Sequence, residues 1–412
     1  MSLSRPSNHH LSFPVILLVI GALVGCDSEP PSPETAAESP AQRLPFNAIV
    51  FDALADDIDG NGLLDLAFTS HHSSYTQVFL QTTPRVFVPG PKVEEVGFHP
   101  GDLMRLPGDD PRLYLMNAEG VNALRVFEPG PDGALGLVAQ MNAPAPRVAA
   151  LFRWPDAGLG LAVGPFAQSR LMLIKDFQPA TAERGLAYGL PLASQLSQVH
   201  QIAAADLDGD GSDEILFPEP RSHSLYVVRA PAGDEEPATE VLWAFEPGGM
   251  PRHLTIADVD GNGAPDLLVP DEVATPSRGA QVHVLLNDGA GQLTPASIPF
   301  PSIEENPKGI KGIRSIAFGR DQDGSGVLLA SAETHLALLR IPQGWSGEPL
   351  ESRVRPFASI GAIRRMLLVD LDGDGALDAV LGRTGGSESG QIFYGPLRET
   401  FDSMTAAGIS ID

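Results

Sequence analysis

Short apolar runs recur along most of the chain, and each is bounded by glycine, proline, asparagine or aspartate. Examples are LTIA at 254–257, LLVP at 267–270 and VHVLL at 282–286. Such runs are too short for amphipathic helices, and their turn-forming borders are typical of buried β-strands. The pattern therefore predicts many short strands, and the 43 glycines and 38 prolines favour the same structure.

The runs form a repeated unit of about fifty residues. In four units an apolar run leads into an acidic loop of one template, and these loops begin at Asp57, Asp206, Asp258 and Asp370. A decayed copy begins at Asp321, and two units without an acidic loop align at residues 105 and 153. Seven units with four short strands each predict an all-β fold, a seven-bladed β-propeller with four-stranded antiparallel blades.

The acidic loops have the composition of calcium sites. Ca²⁺ takes roughly six to eight oxygen ligands, which side chains at loop positions 1, 3, 5 and 9 and the carbonyl at position 7 can supply. The predicted ligands are Asp57, Asp59, Asn61, Leu63 and Asp65; Asp206, Asp208, Asp210, Ser212 and Glu214; Asp258, Asp260, Asn262, Ala264 and Asp266; and Asp370, Asp372, Asp374, Ala376 and Asp378. We expect four structural ions that fix the first hairpin of a blade, and a metal-bridged ligand site is the alternative.

The decayed loop has Ser325 at position 5 and Leu329 at position 9, which predicts an empty or poor site. The intact template is not an EF-hand, because its closing acid stands at position 9 and its flanks are strands. It resembles the FG-GAP and VCBS repeats, the family that includes the integrin α-subunit propeller and many bacterial surface proteins. The resemblance covers about residues 46–408 and implies a calcium-binding propeller that acts as a binding or adhesion module.

The first 45 residues have a different pattern. Arg5 precedes an apolar stretch at 11–25, which is shorter than the roughly 20 residues of a membrane-spanning helix and fits a signal peptide. The ending Leu23-Val24-Gly25-Cys26 resembles the lipobox of bacterial lipoproteins, which implies cleavage before Cys26 and its acylation. The alternative is a cleaved signal peptide with an incidental cysteine.

The predicted organisation follows from these segments. Residues 1–25 form the signal peptide, residues 26–45 the lipidated cysteine and a disordered tether rich in proline, serine and glutamate, and residues 46–412 the propeller. The lipid anchor predicts the membrane as a partner and the bacterial cell envelope as the location, at the periplasmic face or the cell surface.

The formal net charge is −25, which makes nucleic acid an unfavourable partner. Against this background, a basic residue stands about six positions before six of the seven loop starts: His99, Arg147, His200, Arg252, Arg314 and Arg364. Innermost strands begin on the face opposite the acidic loops. We therefore expect a basic ring at the channel mouth that binds an anionic glycan or a protein ligand of the envelope or the extracellular space, and pairing with acids is the structural alternative.

The turns between second and third strands add further basic residues to the same face: His71, His72, Arg221, His223 and Arg383. For the consecutive pair His71 and His72, metal binding is an alternative. A non-enzymatic binding module accounts best for these features. A carbohydrate-active enzyme of the polysaccharide lyase or sugar dehydratase type is an alternative that needs a general base and a charge-neutralising group on this face. A scaffold subunit of an envelope complex is the third possibility.

Overall fold

The computed structural model describes residues 39–404, apart from 71, 95, 109, 156–157, 167, 193–198, 233–234, 247–248, 274–278, 302–310, 333–334, 358–361 and 387. The described residues form 28 strands in seven four-stranded antiparallel sheets, which confirms the predicted seven-bladed propeller. Cys26 and residues 1–25, which the sequence predicts to be a signal peptide, lie outside the described residues. No helix within the described ranges has the length and apolar character needed to cross a membrane.

The two inner strands of each blade are joined by the predicted loops. The innermost strands are β2 (Val50–Asp56), β6 (Pro100–Arg105), β10 (Pro146–Arg153), β14 (Ala203–Ala205), β18 (Thr255–Ala257), β22 (Ser315–Arg320) and β26 (Ile363–Val369). The second strands are β3 (Asp65–Ser70), β7 (Tyr114–Ala118), β11 (Leu159–Pro165), β15 (Glu214–Glu219), β19 (Asp266–Pro270), β23 (Gly326–Ser331) and β27 (Asp378–Arg383). Successive innermost strands contact one another and close a ring around the central channel.

The two outer strands complete each blade. The third strands are β4 (Thr76–Thr83), β8 (Ala123–Pro129), β12 (Arg170–Ile174), β16 (Ser224–Val228), β20 (Gln281–Asn287), β24 (His335–Ile341) and β28 (Gly390–Phe393). The outermost strands are β5 (Val86–Val93), β9 (Leu135–Asn142), β13 (Ala187–Pro191), β17 (Thr239–Ala244), β21 (Leu293–Pro299), β25 (Glu351–Pro356) and β1 (Ala41–Leu44). A short 3-10 helix at Glu119–Val121 follows β7, and helix α1 (Leu397–Ser403) follows β28.

The hydrophobic core lies between neighbouring blades. Leu268 and Val284 of the fifth blade, for example, are buried in one cluster with Leu328 and Leu339 of the sixth. The second strands are buried on both faces, whereas β9 alternates between buried and more exposed residues at the outer edge. Packing of sheet against sheet therefore explains why the inner strands are continuous apolar runs.

The ring is closed by a strand from the N-terminal side of the propeller. Strand β1 pairs with β28, so that Ala41 lies opposite Phe393 and Leu44 opposite Gly390. The prediction that the tether extends to residue 45 is therefore wrong for residues 41–44. Ala41 and Leu44 are buried in the seventh blade, and burial of these two apolar side chains stabilises a segment whose overall composition is polar.

Candidate functional site

The four acidic loops have a common pattern of internal hydrogen bonds, most of which recur in all of them. In the first blade the two Asp57 carboxylate oxygens accept the amides of Gly60 at 2.9 Å and Gly62 at 3.1 Å. The side-chain oxygens of Asp59 and Asn61 accept amides two residues further along, and these two bonds recur in the other three loops. Gly60 and Gly62 have φ values of +81° and +88°, which glycine adopts without strain.

Carboxylates of each loop lie close enough to share one cation. In each of four groups, one oxygen per residue lies within 4.8 Å of the others: Asp57, Asp59 and Asp65; Asp206, Asp208 and Asp210; Asp258, Asp260 and Asp266; and Asp370, Asp372 and Asp374. Several hard oxygen donors in a tight loop are the ligands that Ca²⁺ prefers. The residues therefore fit the predicted calcium sites on their donor chemistry.

The ninth loop position ties the loop to its blade. Asp65 accepts the amide of Ile58 at 2.9 Å through one oxygen and the amide of Gln81, on the third strand, at 2.8 Å through the other. Asp378 makes the equivalent contacts in the seventh blade. Burial raises the pKa of both Asp65 and Asp378 to about 6. The ninth residue thus joins the loop to the second and third strands of its blade, in addition to lying beside the predicted ion.

The backbone amide of the seventh loop residue forms a hydrogen bond within each intact loop. In each intact loop this residue donates its N–H to the side chain at position five, at 2.7–2.8 Å. The four residues concerned are Leu63, Ser212, Ala264 and Ala376. The coordination of calcium by their carbonyl oxygens stays a prediction.

Arginines of neighbouring blades reach three of the loops, and the most distant contact is that of Arg112 in the second blade with Asp57, at 4.0 Å. Arg85, in the turn between β4 and β5 of the first blade, donates to Asp372 and, at 3.2 Å, to Asp374 of the seventh blade. Arg320 of the sixth blade lies 3.2 Å from Asp258 in the fifth. These guanidinium groups partly neutralise carboxylates that would otherwise repel one another.

The sixth loop is shorter than the intact ones, because β22 and β23 pair as far as Arg320 and Gly326. Arg340, on the third strand of the same blade, donates to Asp323 and, at 3.1 Å, to the hydroxyl of Ser325. The arginine supplies a positive charge beside Asp323, one of the two carboxylates of this loop, which is the physical reason to expect a poor calcium site there.

A polar pocket with a volume of about 250 Å³ lies at the mouth of the channel, around the starts of the innermost strands. Its lining includes five of the six predicted ligand-binding residues, namely Arg147, His200, Arg252, Arg314 and Arg364. It also includes Arg365 and His253, and three acidic residues, Asp52, Asp102 and Glu272. The closed ring of seven blades thus brings together side chains that are far apart in the sequence.

Two pocket arginines pair with carboxylates. Arg252 lies 2.9 Å from Glu272, and Arg365 lies 2.8 Å from Asp52. Asp52 also accepts the amide of Leu103 at 3.1 Å, which fixes the carboxylate between the first two blades. These two contacts support the structural alternative for part of the basic ring.

The other three arginines, Arg147, Arg314 and Arg364, form no ion pair within the described residues. Arg147 is 5% exposed and lies over the rings of Phe166 at 4.6 Å and Phe51 at 5.6 Å. Arg364 lies 5.7 Å from the Phe51 ring. Cation–π contacts position a guanidinium group without cancelling its charge, so these three arginines leave the pocket positively charged.

Burial changes the protonation of several pocket residues. It lowers the pKa of His253 to about 3 and that of His200 well below its usual value, and neighbouring arginines act in the same direction. Burial, reinforced by the nearby Asp52 carboxylate, raises the pKa of Asp102 to about 8. At pH 7 the pocket therefore combines five arginines with neutral imidazoles and a protonated Asp102, and it carries a net positive charge.

His99, the sixth predicted ligand-binding residue, is not part of the pocket lining. Its ring stacks on Phe98, with centroids 4.1 Å apart, and lies beside His72 and Glu119. The reason is a turn of the backbone at His99, where φ is 54°, immediately before β6 begins. His71, which the sequence places beside His72, lies outside the described residues.

A second cleft of about 470 Å³ adjoins the pocket and shares His200 and Arg252 with it. Its lining includes Arg221 and His223, which the sequence predicts on this face. Arg383 is instead 8% exposed and donates to a backbone carbonyl at 2.9 Å. The basic surface therefore extends from the channel mouth over the fourth blade.

The repeat pattern of the sequence, which defines the position of the basic residues, does not by itself indicate the acidic residues of the pocket. Asp52 and Asp102 lie within the innermost strands β2 and β6. A carboxylate on a buried strand is costly unless it is paired or protonated. Their location in predicted strands was therefore a signal that buried cations lie nearby.

A family model described as an FG-GAP-like repeat matches residues 206–269. The matched segment begins at the acidic loop of the fourth blade and ends in the second strand of the fifth. The protein is a seven-bladed β-propeller that carries an FG-GAP-like repeat. A search of curated proteins finds no sequence match.

Solved propeller structures are similar to the whole ring. BBS1N, from its complex with ARL6DN, has a TM-score of 0.56 and 12% identity over 85% of this chain and 94% of its own. The Cps50 (Swd1) propeller domain of Myceliophteria thermophila has a TM-score of 0.57 and 12% identity over 86% and 98%. Virginiamycin B lyase from Staphylococcus aureus has a TM-score of 0.53 and 13% identity over 86% and 99%. At these identities the similarity concerns the fold alone.

Proposed function

We propose that the protein is a lipid-anchored binding module of the bacterial cell envelope. In this proposal a calcium-stabilised propeller presents an anion-binding pocket at its channel mouth, and the ligand is an acidic glycan or another anionic ligand of the envelope. The main observation that supports a binding function is that five arginines but only three carboxyl groups line one pocket. Burial keeps one of those carboxyl groups, Asp102, protonated by raising its pKa to about 8.

The argument for an anion is electrostatic. Guanidinium groups that face one opening repel one another unless an anion or buried acids lie between them. Arg147, Arg314 and Arg364 have no carboxylate partner within the described ranges, so a bound anion would supply the missing charge. A charge-assisted contact contributes on the order of 1.5–3 kcal/mol. The pocket volume suits one acidic group, and the adjoining cleft offers room for the remainder of a longer ligand.

Calcium has a separate role in this proposal. The acidic loops follow the innermost strands, whereas the pocket lies at the starts of those strands, so the ions and the ligand occupy opposite faces. We assign Ca²⁺ to the four intact loops as a structural cofactor that fixes the first hairpin of each blade. The donor oxygens within 4.8 Å of one another support this assignment.

The anchoring part of the proposal depends on Cys26. The apolar stretch and the lipobox-like sequence before this cysteine support export, cleavage and acylation. Two or more acyl chains hold a protein stably at a membrane. The proline-rich segment that follows would then separate the propeller from the bilayer.

A second candidate function is a carbohydrate-active enzyme of the lyase type. One observation favours it: His200 and His253, which are neutral at pH 7, lie in the same pocket as five arginines, so candidate bases and charge-neutralising groups share one site. An arginine could neutralise the carboxylate of a uronic acid while a neutral imidazole removes the adjacent proton. Formation of an unsaturated sugar from a polyuronate, followed by ultraviolet absorbance, distinguishes this enzyme from a binding module.

A glycan array tests the proposed binding function. The purified protein should bind glycans that carry uronate or sulfate groups and should not bind their neutral counterparts. Binding should weaken as sodium chloride is added, because exposed charges are screened. Absence of binding to acidic glycans in calcium, or equal binding to neutral ones, would contradict the proposal.

A further inference from the structure

Two histidines face each other at the junction of the first and second blades. His72 lies in the turn after β3, and His99 immediately precedes β6. The Nδ1 atom of His72 is 3.4 Å from the Nε2 atom of His99, and the ring centroids are 5.3 Å apart. The pair lies on the face of the propeller where the second-to-third turns meet the starts of the innermost strands.

The separation of the two nitrogens is that of two ligands of one metal ion. Histidine nitrogen binds Zn²⁺ at about 2.0–2.1 Å, so two such ligands in a tetrahedral arrangement lie about 3.3 Å apart. A hydrogen bond from an N–H group is commonly shorter, at about 2.9–3.0 Å. The observed 3.4 Å therefore fits a shared ion better than a direct bond between the rings.

The second ring nitrogen of His99 has the partner that metal-binding histidines usually have. Its Nδ1 atom lies 3.7 Å from a carboxylate oxygen of Glu119, whose side chain is 14% exposed. Histidines that bind a metal almost always direct the other ring nitrogen to a carboxylate or a carbonyl, which orients the ring. The Phe98 ring stacks on His99 from one side and limits its rotation further.

The backbone around His99 fixes the position of the ring. His99 has φ 54°, an uncommon value for a residue other than glycine. The His99 carbonyl accepts the amide of Glu119 at 3.2 Å, and the Phe98 carbonyl accepts that of Gly120 at 2.9 Å. Strained residues that are held in place in this way occur preferentially at functional sites.

We propose that His72 and His99 form a binding site for a transition-metal ion of the Zn²⁺, Ni²⁺ or Cu²⁺ class. His72 Nδ1 and His99 Nε2 are the ligands, water completes the coordination, and Glu119 is a positioning residue. Imidazole nitrogen favours these metals, whereas the acidic loops offer oxygen atoms and favour calcium. The site does not depend on the anion-binding function of the pocket.

Metal titration of the purified protein in excess calcium tests the site, because calcium then fills the oxygen sites. Calorimetry with ZnCl₂ should show one saturable site that His72→Gln and His99→Gln each weaken at least about tenfold. Electron paramagnetic resonance of the Cu²⁺-loaded protein should show nitrogen hyperfine coupling that both variants reduce. Glu119→Gln should weaken Zn²⁺ binding about tenfold, the lower end of the range for such partners.

His223→Gln is the matched control, since His223 lies on the same face and also has a left-handed backbone, with φ 53°. It should leave the Zn²⁺ titration unchanged. Melting temperatures in calcium check folding, and the exposed His72 gives the decisive variant if His99→Gln is unstable. Identical Zn²⁺ binding by wild type and His72→Gln, or no nitrogen coupling to Cu²⁺, would overturn the proposal and leave a simple imidazole contact.

Discussion

Arg85 donates a hydrogen bond to Asp374 at 3.2 Å, although the two residues are 289 positions apart in the chain. The same guanidinium group contacts Asp372 and lies 4.7 Å from the ring of Tyr394. This cluster joins the first blade to the acidic loop of the seventh. It therefore reinforces the ring closure that β1 provides through its pairing with β28.

Replacement of Arg85 tests this closure. In EDTA, Arg85→Gln should lower the free energy of unfolding by about 1–2 kcal/mol, because a partly buried charged hydrogen bond is lost. The stabilisation by calcium should increase, since Asp372 and Asp374 then lose a competing cation. Arg43→Gln is the control, because the Arg43–Glu388 pair is 44% exposed on both sides and should contribute little. Identical melting of Arg85→Gln and wild type in EDTA and in calcium would refute the closure role.

Calcium removal should destabilise the whole propeller. With ~1 mM calcium and a Kd of ~0.1 mM, each site adds about 1.4 kcal/mol to the folded state, and four sites add roughly 5–6 kcal/mol. EDTA should therefore lower the melting temperature by many degrees, and Asp260→Asn should remove about one site's share. If the melting temperature is the same with and without EDTA, and elemental analysis finds no bound ion, the proposed calcium sites are wrong.

Membrane attachment should depend on one atom, the sulfur of Cys26. Cys26→Ser should prevent acylation and release the protein from the membrane fraction, because no other cysteine is available. Fractionation and mass spectrometry of the mature amino terminus provide the measurement. A Cys26→Ser protein that stays membrane-bound and fully processed would be incompatible with the lipobox interpretation.

Asp102 should make stability decrease as the pH rises. Burial raises its pKa to about 8 in the folded state, above the value of about 3.9 expected after unfolding. Between these values the folded state binds more protons, so the free energy of unfolding falls with increasing pH. Asp102→Asn is neutral in both states and should gain stability relative to wild type from pH 5 to pH 8. Denaturant unfolding at both pH values measures this, and a constant difference between the two proteins would exclude a protonated Asp102.

The sequence predicts the propeller well because the same loop and strand pattern occurs in several units of the chain. Four acidic loops at a regular spacing define the register of each blade, and that register places Arg147, Arg252 and Arg364 at equivalent points near the starts of three innermost strands. Equivalent points in a closed ring face one opening. The convergence of the basic pocket residues therefore follows from periodicity and needs no knowledge of distant contacts.

Other features depend on contacts between distant segments and could not be predicted in this way. Strand β1 has only two buried apolar residues, and its partner lies at the other end of the propeller sequence. The His99 side chain does not line the pocket with the other basic residues, because the backbone at His99 is in the left-handed region. A histidine in the sequence does not indicate that conformation. The pairing of Arg340 with Asp323 depends on a shortened hairpin whose register becomes visible only in the folded blade.

The central claim is that the arginines at the channel mouth bind an anion, and the most direct measurement is calorimetric titration of an oligouronate into wild type and Arg314→Ala/Arg364→Ala. Two lost charge-assisted contacts should weaken binding at least about a hundredfold. The calcium-dependent melting transition should remain in the double variant. Arg43→Ala/Arg184→Ala removes the same charge from exposed positions and should bind like wild type. No binding by wild type, or equal losses in the two double variants, would contradict the account.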